Sequence, residues 1–229
     1  MKNLAVVSKS RRSAPTTKPK ALLEPVRDAE RTQQAILAAA EVEFSDKGLA
    51  GARVDAIAEQ SGANKRMLYY YFGSKENLYV AVLERAYGAM RQAERELNLI
   101  DLNPLDAIRK LVEFKFDYLL EHPTIIRLLA GENMQNAKFL KRSRRLRDMH
   151  NSLANVLQAV LAAGQKKGLV KSGIDPVQLY ISLAAMSYFF FSNAATLSTA
   201  FGRELMSPSE LKDRRAHAVE VILDYVRLR

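Results

Sequence analysis

The chain has no cysteine, no tryptophan and three histidines among its 229 residues. Without cysteine there is no disulfide framework, no thiolate zinc site and no thiol nucleophile. His122, His150 and His217 form no H-x-x-x-H pair, and neither G-x-G-x-x-G nor G-x-x-x-x-G-K-[ST] occurs; such patterns hold metals and nucleotide phosphates. No nucleophile stands in a recognisable set with a base. The expectation is a protein that is not an enzyme, with no catalytic residue, no metal and no cofactor.

Acidic residues are in deficit: 25 Asp and Glu face 35 Lys and Arg, a net charge of +10. Such a balance favours a polyanionic partner and says nothing of fold. The charge is patchy. Residues 1–26 carry +5, residues 27–85 carry −1 and residues 86–229 carry +6. Long apolar runs are scarce as well. The stretch 176–202 has no charged residue, but Gln178, Ser187, Asn193 and Thr196 interrupt it, which argues for a buried helix rather than a membrane span. The N-terminal apolar run is too short for a secretory signal. No membrane association and a cytoplasmic location are expected.

What is present is helical periodicity without sustained β alternation. Residues 1–26, rich in Ser, Pro, Thr and Lys, read as a disordered basic tail. Helices are expected over about 27–47, 54–60, 65–71, 74–98, 104–121, 123–133, 138–166, 176–199 and 208–228. Asn103-Pro104, Asp175-Pro176 and Ser207-Pro208 each set a capping side chain before proline at the first helical position. Gln178 and Glu210 stand three residues after Asp175 and Ser207, the capping-box spacing. The fold class is all-α, with about nine helices. The division is a tail over 1–26, a three-helix domain over 27–74, and a larger helical domain over 75–229.

The segment 54–72, VDAIAEQSGANKRMLYYYF, carries the function. Val54, Ile57 and Ala58 share one helical face, Gly62 supplies a tight turn, and Asn64 caps a second short helix. Leu68, Tyr71 and Phe72 can face inward, which leaves Lys65, Arg66, Met67, Tyr69 and Tyr70 pointing elsewhere. A bracing helix and a second helix able to enter the major groove make a helix-turn-helix. Arg66 can fork onto guanine, Tyr69 and Tyr70 offer rings to thymine methyls and hydroxyls to phosphates, and Lys75 suits a backbone phosphate.

Residues 31–83 resemble the DNA-binding domain of the tetracycline repressor (TetR) family of bacterial regulators. The matching residues are Ile36, Ala39, Ala40, Phe44, Gly48, Val54, Ile57, Ala58, Ser61-Gly62, Leu68-Tyr69, Tyr71-Phe72, Ser74-Lys75-Glu76 and Leu78. The resemblance implies a homodimer that binds a near-palindromic double-stranded operator, probed by Arg53, Asn64, Lys65, Arg66, Met67, Tyr69, Tyr70 and Lys75, and released when a small-molecule effector enters the C-terminal domain. Family members often have Thr or Ser where Ala52-Arg53 stands, a small residue at Arg66 and Thr at Met67, so the target sequence differs while the mode of binding stays. A narrower resemblance, over Tyr118 to Leu140 and Ile174 to Phe201, is to the pyrimidine-utilisation repressor group. It rests on His122-Pro123, Arg127-Leu128, Glu132 and Ile174-Asp175-Pro176, which are caps and core and transfer no ligand.

Apolar and polar residues of the C-terminal half supply effector candidates: Phe114, Tyr118, Glu132, Asn133, Met149, Phe190 and Asn193. For each, core packing or helix capping is the competing reading. The helix over 176–199 is apolar nearly all round, and 208–228 carries a stripe at Leu211, Ala218, Val221, Ile222 and Tyr225. A second copy covering the remaining apolar surface is the simplest solution. The basic run Lys138, Lys141, Arg142, Arg144, Arg145 and Arg147 has the wrong sign for a helix start and reads as a solvated face, an anion site or an auxiliary DNA contact.

Overall fold

The structure is a computed structural model that describes residues 24–228; of the tail expected over 1–26, residues 1–23 lie outside the described residues and residues 24–26 already belong to a helix. Those residues form ten α-helices and two short 3-10 turns, with one isolated antiparallel bridge between Val170 and Arg227. The helices are α1 (Glu24–Gly51), α2 (Val54–Ser61), α3 (Lys65–Phe72), α4 (Lys75–Glu96), α5 (Pro104–Glu121), α6 (Pro123–Met134), α7 (Arg144–Lys166), α8 (Pro176–Ser192), α9 (Ala194–Phe201) and α10 (Pro208–Val226).

Two apolar clusters hold them together. In the first, Ile36, Ala39, Ala40 and Phe44 of α1 recur every three or four residues and meet Ile57 and Ala58 of α2, Leu68 of α3, and Leu78, Tyr79, Val82 and Leu83 of α4. Ile125 and Leu128 of α6 close the same cluster. Tyr79 sits between Phe44 and Phe139, with centroid separations of 5.1 and 5.4 Å and edge-to-face rings, the arrangement their quadrupoles favour. In the second cluster Leu111 and Val112 of α5, Leu157 and Val160 of α7, Leu179 and Leu183 of α8, and Val219 and Ile222 of α10 pack together. Truncating one such fully buried aliphatic side chain to alanine costs about 2–5 kcal/mol. Gly164 on α7 is required by close approach: a Cβ there would run into the Val170 side chain.

The structure adds one helix to the nine expected and moves several ends. Helix α1 begins at Glu24 rather than Arg27, and Gly48 kinks it (φ 64°, ψ 173°) instead of ending it. The segment expected as one helix over 138–166 begins with a 3-10 turn at Leu140–Arg142, and α7 starts only at Arg144. The reason is Glu132: its Oε2 accepts the backbone N–H groups of Phe139 and Leu140 at 3.2 and 2.8 Å. Ser143 then caps α7 through Leu146 N–H at 3.2 Å. The helix expected over 176–199 divides at Asn193, whose backbone leaves the helical region (φ −116°, ψ 9°). Asp175 caps α8 as expected, accepting from Val177 and Gln178 N–H. Ser207 makes no such bond, and Glu210 is drawn away by Arg203, which donates to it at 2.6–2.9 Å. On α10 the expected stripe divides, with Ala218 and Ile222 in the core and Val221 and Tyr225 exposed.

Candidate nucleic-acid interface

Helix α2 ends at Gly62, which takes the left-handed conformation (φ 68°, ψ 11°) that glycine adopts at no steric cost. Its N–H returns to the α2 carbonyls, and the chain turns straight into α3. Asn64 begins α3 by accepting the Met67 N–H at 2.9 Å, a cap that contributes about 1 kcal/mol. Leu68 is buried, and Tyr71 and Phe72 are half-buried against the first cluster. That anchors one face of α3 and turns the other outward. Tyr70 is 82% exposed and Tyr69 47%; Arg66 is exposed and Met67 half-buried.

The charged residues have defined surroundings. Lys65 is paired with Asp55 of α2 at 2.6 Å, whereas among the described residues Arg66 makes no ion pair. Lys75 opens α4 and its Nζ reaches the Ala50 carbonyl at 3.5 Å, while Ser74 caps α4 through Asn77 N–H at 3.1 Å. Arg53 precedes α2 and supplies no capping side chain. The Glu43 carboxylate of α1 takes over, accepting the Arg53 backbone N–H at 2.9 Å. That bond holds the Glu43 carboxyl below its ordinary range; burial opposes the shift and Lys47 adds to it. Arg53, Asn64, Lys65, Arg66, Met67, Tyr69, Tyr70 and Lys75 therefore lie on α3 and on the helix starts that flank it.

The seven effector candidates do not converge. Phe114 and Tyr118 stack on α5 with centroids 5.4 Å apart, and Tyr118 continues onto His122. Glu132 is buried and occupied with the turn before α7. Asn133 is exposed. Phe190 is buried against Phe116 and under the Arg214 guanidinium. Asn193 donates to the Phe189 carbonyl at 2.9 Å at the end of α8. Met149 alone of the seven lines a cavity of about 370 Å³ between α4, the 3-10 turn Leu99–Asp101 and α7.

That cavity is bordered by charges the sequence reading missed. Arg91 and Glu94 line it and are paired with each other, and Glu94 is also paired with Lys115 of α5. All three side chains are at most 4% exposed. Arg91 donates to the Tyr180 hydroxyl at 2.8 Å, and the Arg91 and Lys115 cations lie 5.5 and 5.3 Å from the Tyr180 ring centre. Burial alone would push the Arg91 guanidinium down; Tyr180 and Glu94 together leave it above its ordinary value. One signal was available: Lys115 falls on the same helical face as Leu111, Val112 and Leu119, where an apolar residue belongs.

Of the basic run before and into α7, Arg142 reaches α4, and Ser143 beside it does too. Arg142 donates to Asn77 Oδ1 at 2.9 Å and Ser143 to Glu84 at 2.5 Å. Lys138 and Arg142 lie over the Phe139 ring. None of the described helices is long and apolar enough to cross a membrane.

Comparison with known proteins agrees over most of the chain. Residues 36–82 match the family described as "Bacterial regulatory proteins, tetR family", and residues 104–222 match "Tetracyclin repressor-like, C-terminal domain". The HTH-type transcriptional repressor NicS of Pseudomonas putida is 40% identical over 177 residues, covering 77% of this chain and 84% of the relative. The HTH-type transcriptional regulator RutR of Escherichia coli K12 is 30% identical over 200 residues, covering 86% and 91%. Among solved structures, the transcriptional regulator SCO4942 of Streptomyces coelicolor superposes with a TM-score of 0.66 at 28% identity, covering 85% of this chain and 98% of that one.

Proposed function

The chain belongs to the TetR family of bacterial transcriptional regulators, and on that premise we propose that it is a cytoplasmic repressor that binds a near-palindromic operator as a homodimer and lets go when a small molecule fills its C-terminal domain. The observation that carries the proposal is the outward face of α3. Arg66 and Tyr70 stand exposed on a short helix that Leu68 fastens to α1, α2 and α4. In this reading residues 27–74 hold the DNA, with Arg66 reading a base, Met67, Tyr69 and Tyr70 beside it, and Arg53, Asn64, Lys65 and Lys75 serving the phosphates. Residues 75–229 hold the effector and the partner subunit, and the chain acts by binding rather than by catalysis.

Dimerisation is supported by a row on α8. Val177, Ile181, Ala185 and Phe189 follow one another at four-residue spacing and are all exposed, and Phe189 is 56% accessible. Val221 and Tyr225 of α10 are exposed as well. An apolar row of this length is what a second copy would cover. Two recognition helices in such a dimer would meet half-sites about one helical turn apart.

Effector coupling is supported by α4 itself, which starts beside α3 at Lys75 and reaches the cavity at Arg91, about 24 Å away at 1.5 Å per residue. A ligand wedged between α4 and α7 bears directly on the helix against which α3 packs. The test is selection of bound sequences from a random duplex pool by the full-length protein. The expected product is an inverted repeat with one fixed spacing; recovery of no sequence preference would overturn the operator reading.

A further inference from the structure

The cavity between α4 and α7 is bordered by a charge cluster that does not balance. Arg91 and Lys115 contribute two cations, and among the described residues Glu94 is the one carboxylate in ion-pair contact with either. The Tyr180 hydroxyl accepts from Arg91 without cancelling charge. One surplus positive charge is thus sealed at 3–4% exposure. A buried, uncompensated ion is costly, several kcal/mol after relaxation, and natural interiors pair such charges. The hydrogen bonding is incomplete in the same place. Arg91 lines the cavity, its two terminal nitrogens are engaged by Glu94 and Tyr180, and its Nε is buried with no partner.

The remaining walls say what else the occupant must be. Leu99, Met149, Leu153 and Val156 are apolar, and Arg95 and Asp101 near them are exposed and of opposite sign, so the surplus lies in the buried cluster in which Arg91 and Glu94 face the cavity and Lys115 stands behind them. The volume of about 370 Å³ lies at the small end of the roughly 300–1,000 Å³ typical of ligand sites, too small for a long-chain thioester with its nucleotide.

We propose that the effector of this regulator is a small organic monoanion, a carboxylate on an apolar body, whose carboxylate is held by Arg91 at the inner wall of this cavity. The inference rests on the regulator reading above and adds the ligand class to it. The carboxylate supplies the missing negative charge and accepts the idle Nε–H, and the apolar body fills the space against Leu153 and Val156. The charge-assisted bond is strong because the Arg91 side chain is itself only 3% exposed.

The experiment uses the full chain and matched acid and amide pairs: benzoate with benzamide, phenylacetate with phenylacetamide, hexanoate with hexanamide. Binding is followed by calorimetry and by melting temperature, which a ligand of the folded state raises. At least one acid is expected to bind at millimolar concentration and its amide to bind on the order of tenfold to a hundredfold more weakly. Arg91→Gln is expected to erase the difference. It leaves Glu94 and Lys115 as a balanced pair, so without ligand it is expected to melt no lower than the parent. Lys115→Met removes the surplus while keeping Arg91, and is expected to weaken the acids selectively, which keeps the test decisive if the first variant folds poorly. Amides that bind as well as acids, no acid binding at all, or acid preference surviving Arg91→Gln would each overturn the proposal. Release of selected operator DNA by an amide would discard the anion and keep the regulator; failure to select any DNA would discard the regulator regardless of what the acids do.

Discussion

Lys65 Nζ lies 2.6 Å from Asp55 Oδ1, so the first residue of the recognition helix is neutralised by the helix that braces it. Both side chains are more than half exposed, and an exposed pair of this kind adds little stability. Its consequence is for binding, because a phosphate must compete with Asp55 for the lysine. Asp55→Asn is expected to leave the fold intact, raise affinity for all duplexes and steepen the dependence of log affinity on log salt by about one. Fluorescence anisotropy at several salt concentrations measures both, and an unchanged slope would remove Lys65 from the phosphate contacts.

Arg66 and Lys75 separate reading from holding. If Arg66 forks onto a guanine, Arg66→Ala costs roughly 1–3 kcal/mol and relaxes preference at one base pair in each half-site. Lys75→Ala is expected to weaken every sequence about equally and to flatten the salt slope by about one. Affinities for single-base operator variants distinguish the two. A uniform loss with Arg66→Ala would place Arg66 on a phosphate.

Ala185 lies in the exposed row on α8 between Ile181 and Phe189. Ala185→Glu is expected to turn a dimer into monomers with unchanged helicity, since the partner surface would have to bury an unpaired charge. Sedimentation at micromolar concentration reads the mass. A monomeric parent protein would sink the dimer and, with it, the paired half-sites.

Glu43 stabilises the start of α2 in its charged form. Its carboxyl is held below its ordinary range by the Arg53 backbone N–H, so this contribution is fully present above the unfolded-state value and is lost as pH falls through the lowered folded-state value. Glu43→Ala is expected to cost about 1.5–3 kcal/mol at neutral pH, the worth of a hydrogen bond to a charged group. The gap between parent and variant in urea unfolding narrows as pH falls from the ordinary glutamate range through the lowered folded-state value. A gap that stays constant down to strongly acidic pH would show that the carboxylate charge is not what holds Arg53.

Much of the fold was legible in the sequence because its signals are local. The four-residue recurrence of Ile36, Ala40 and Phe44 marks a buried helical face. Gly62 and Asn64 announce the turn and the cap of the recognition helix, and Asn103, Asp175 and three prolines mark helix starts. Residues that decide such ends lie within four positions of what they bond, so spacing alone determines them.

Tertiary structure decided what depends on partners far along the chain. Glu132 delays α7 through N–H groups seven and eight residues away, and Glu43 replaces a missing cap from ten residues off. The tyrosine that accepts from Arg91 is 89 positions away. Nothing in the sequence joins an arginine, a glutamate and a lysine spread over α4 and α5. Only the packing of α4, α5 and α8 brings them together and buries them to 4% exposure or less, and away from water an unbalanced charge carries a far larger electrostatic energy than it does on a surface.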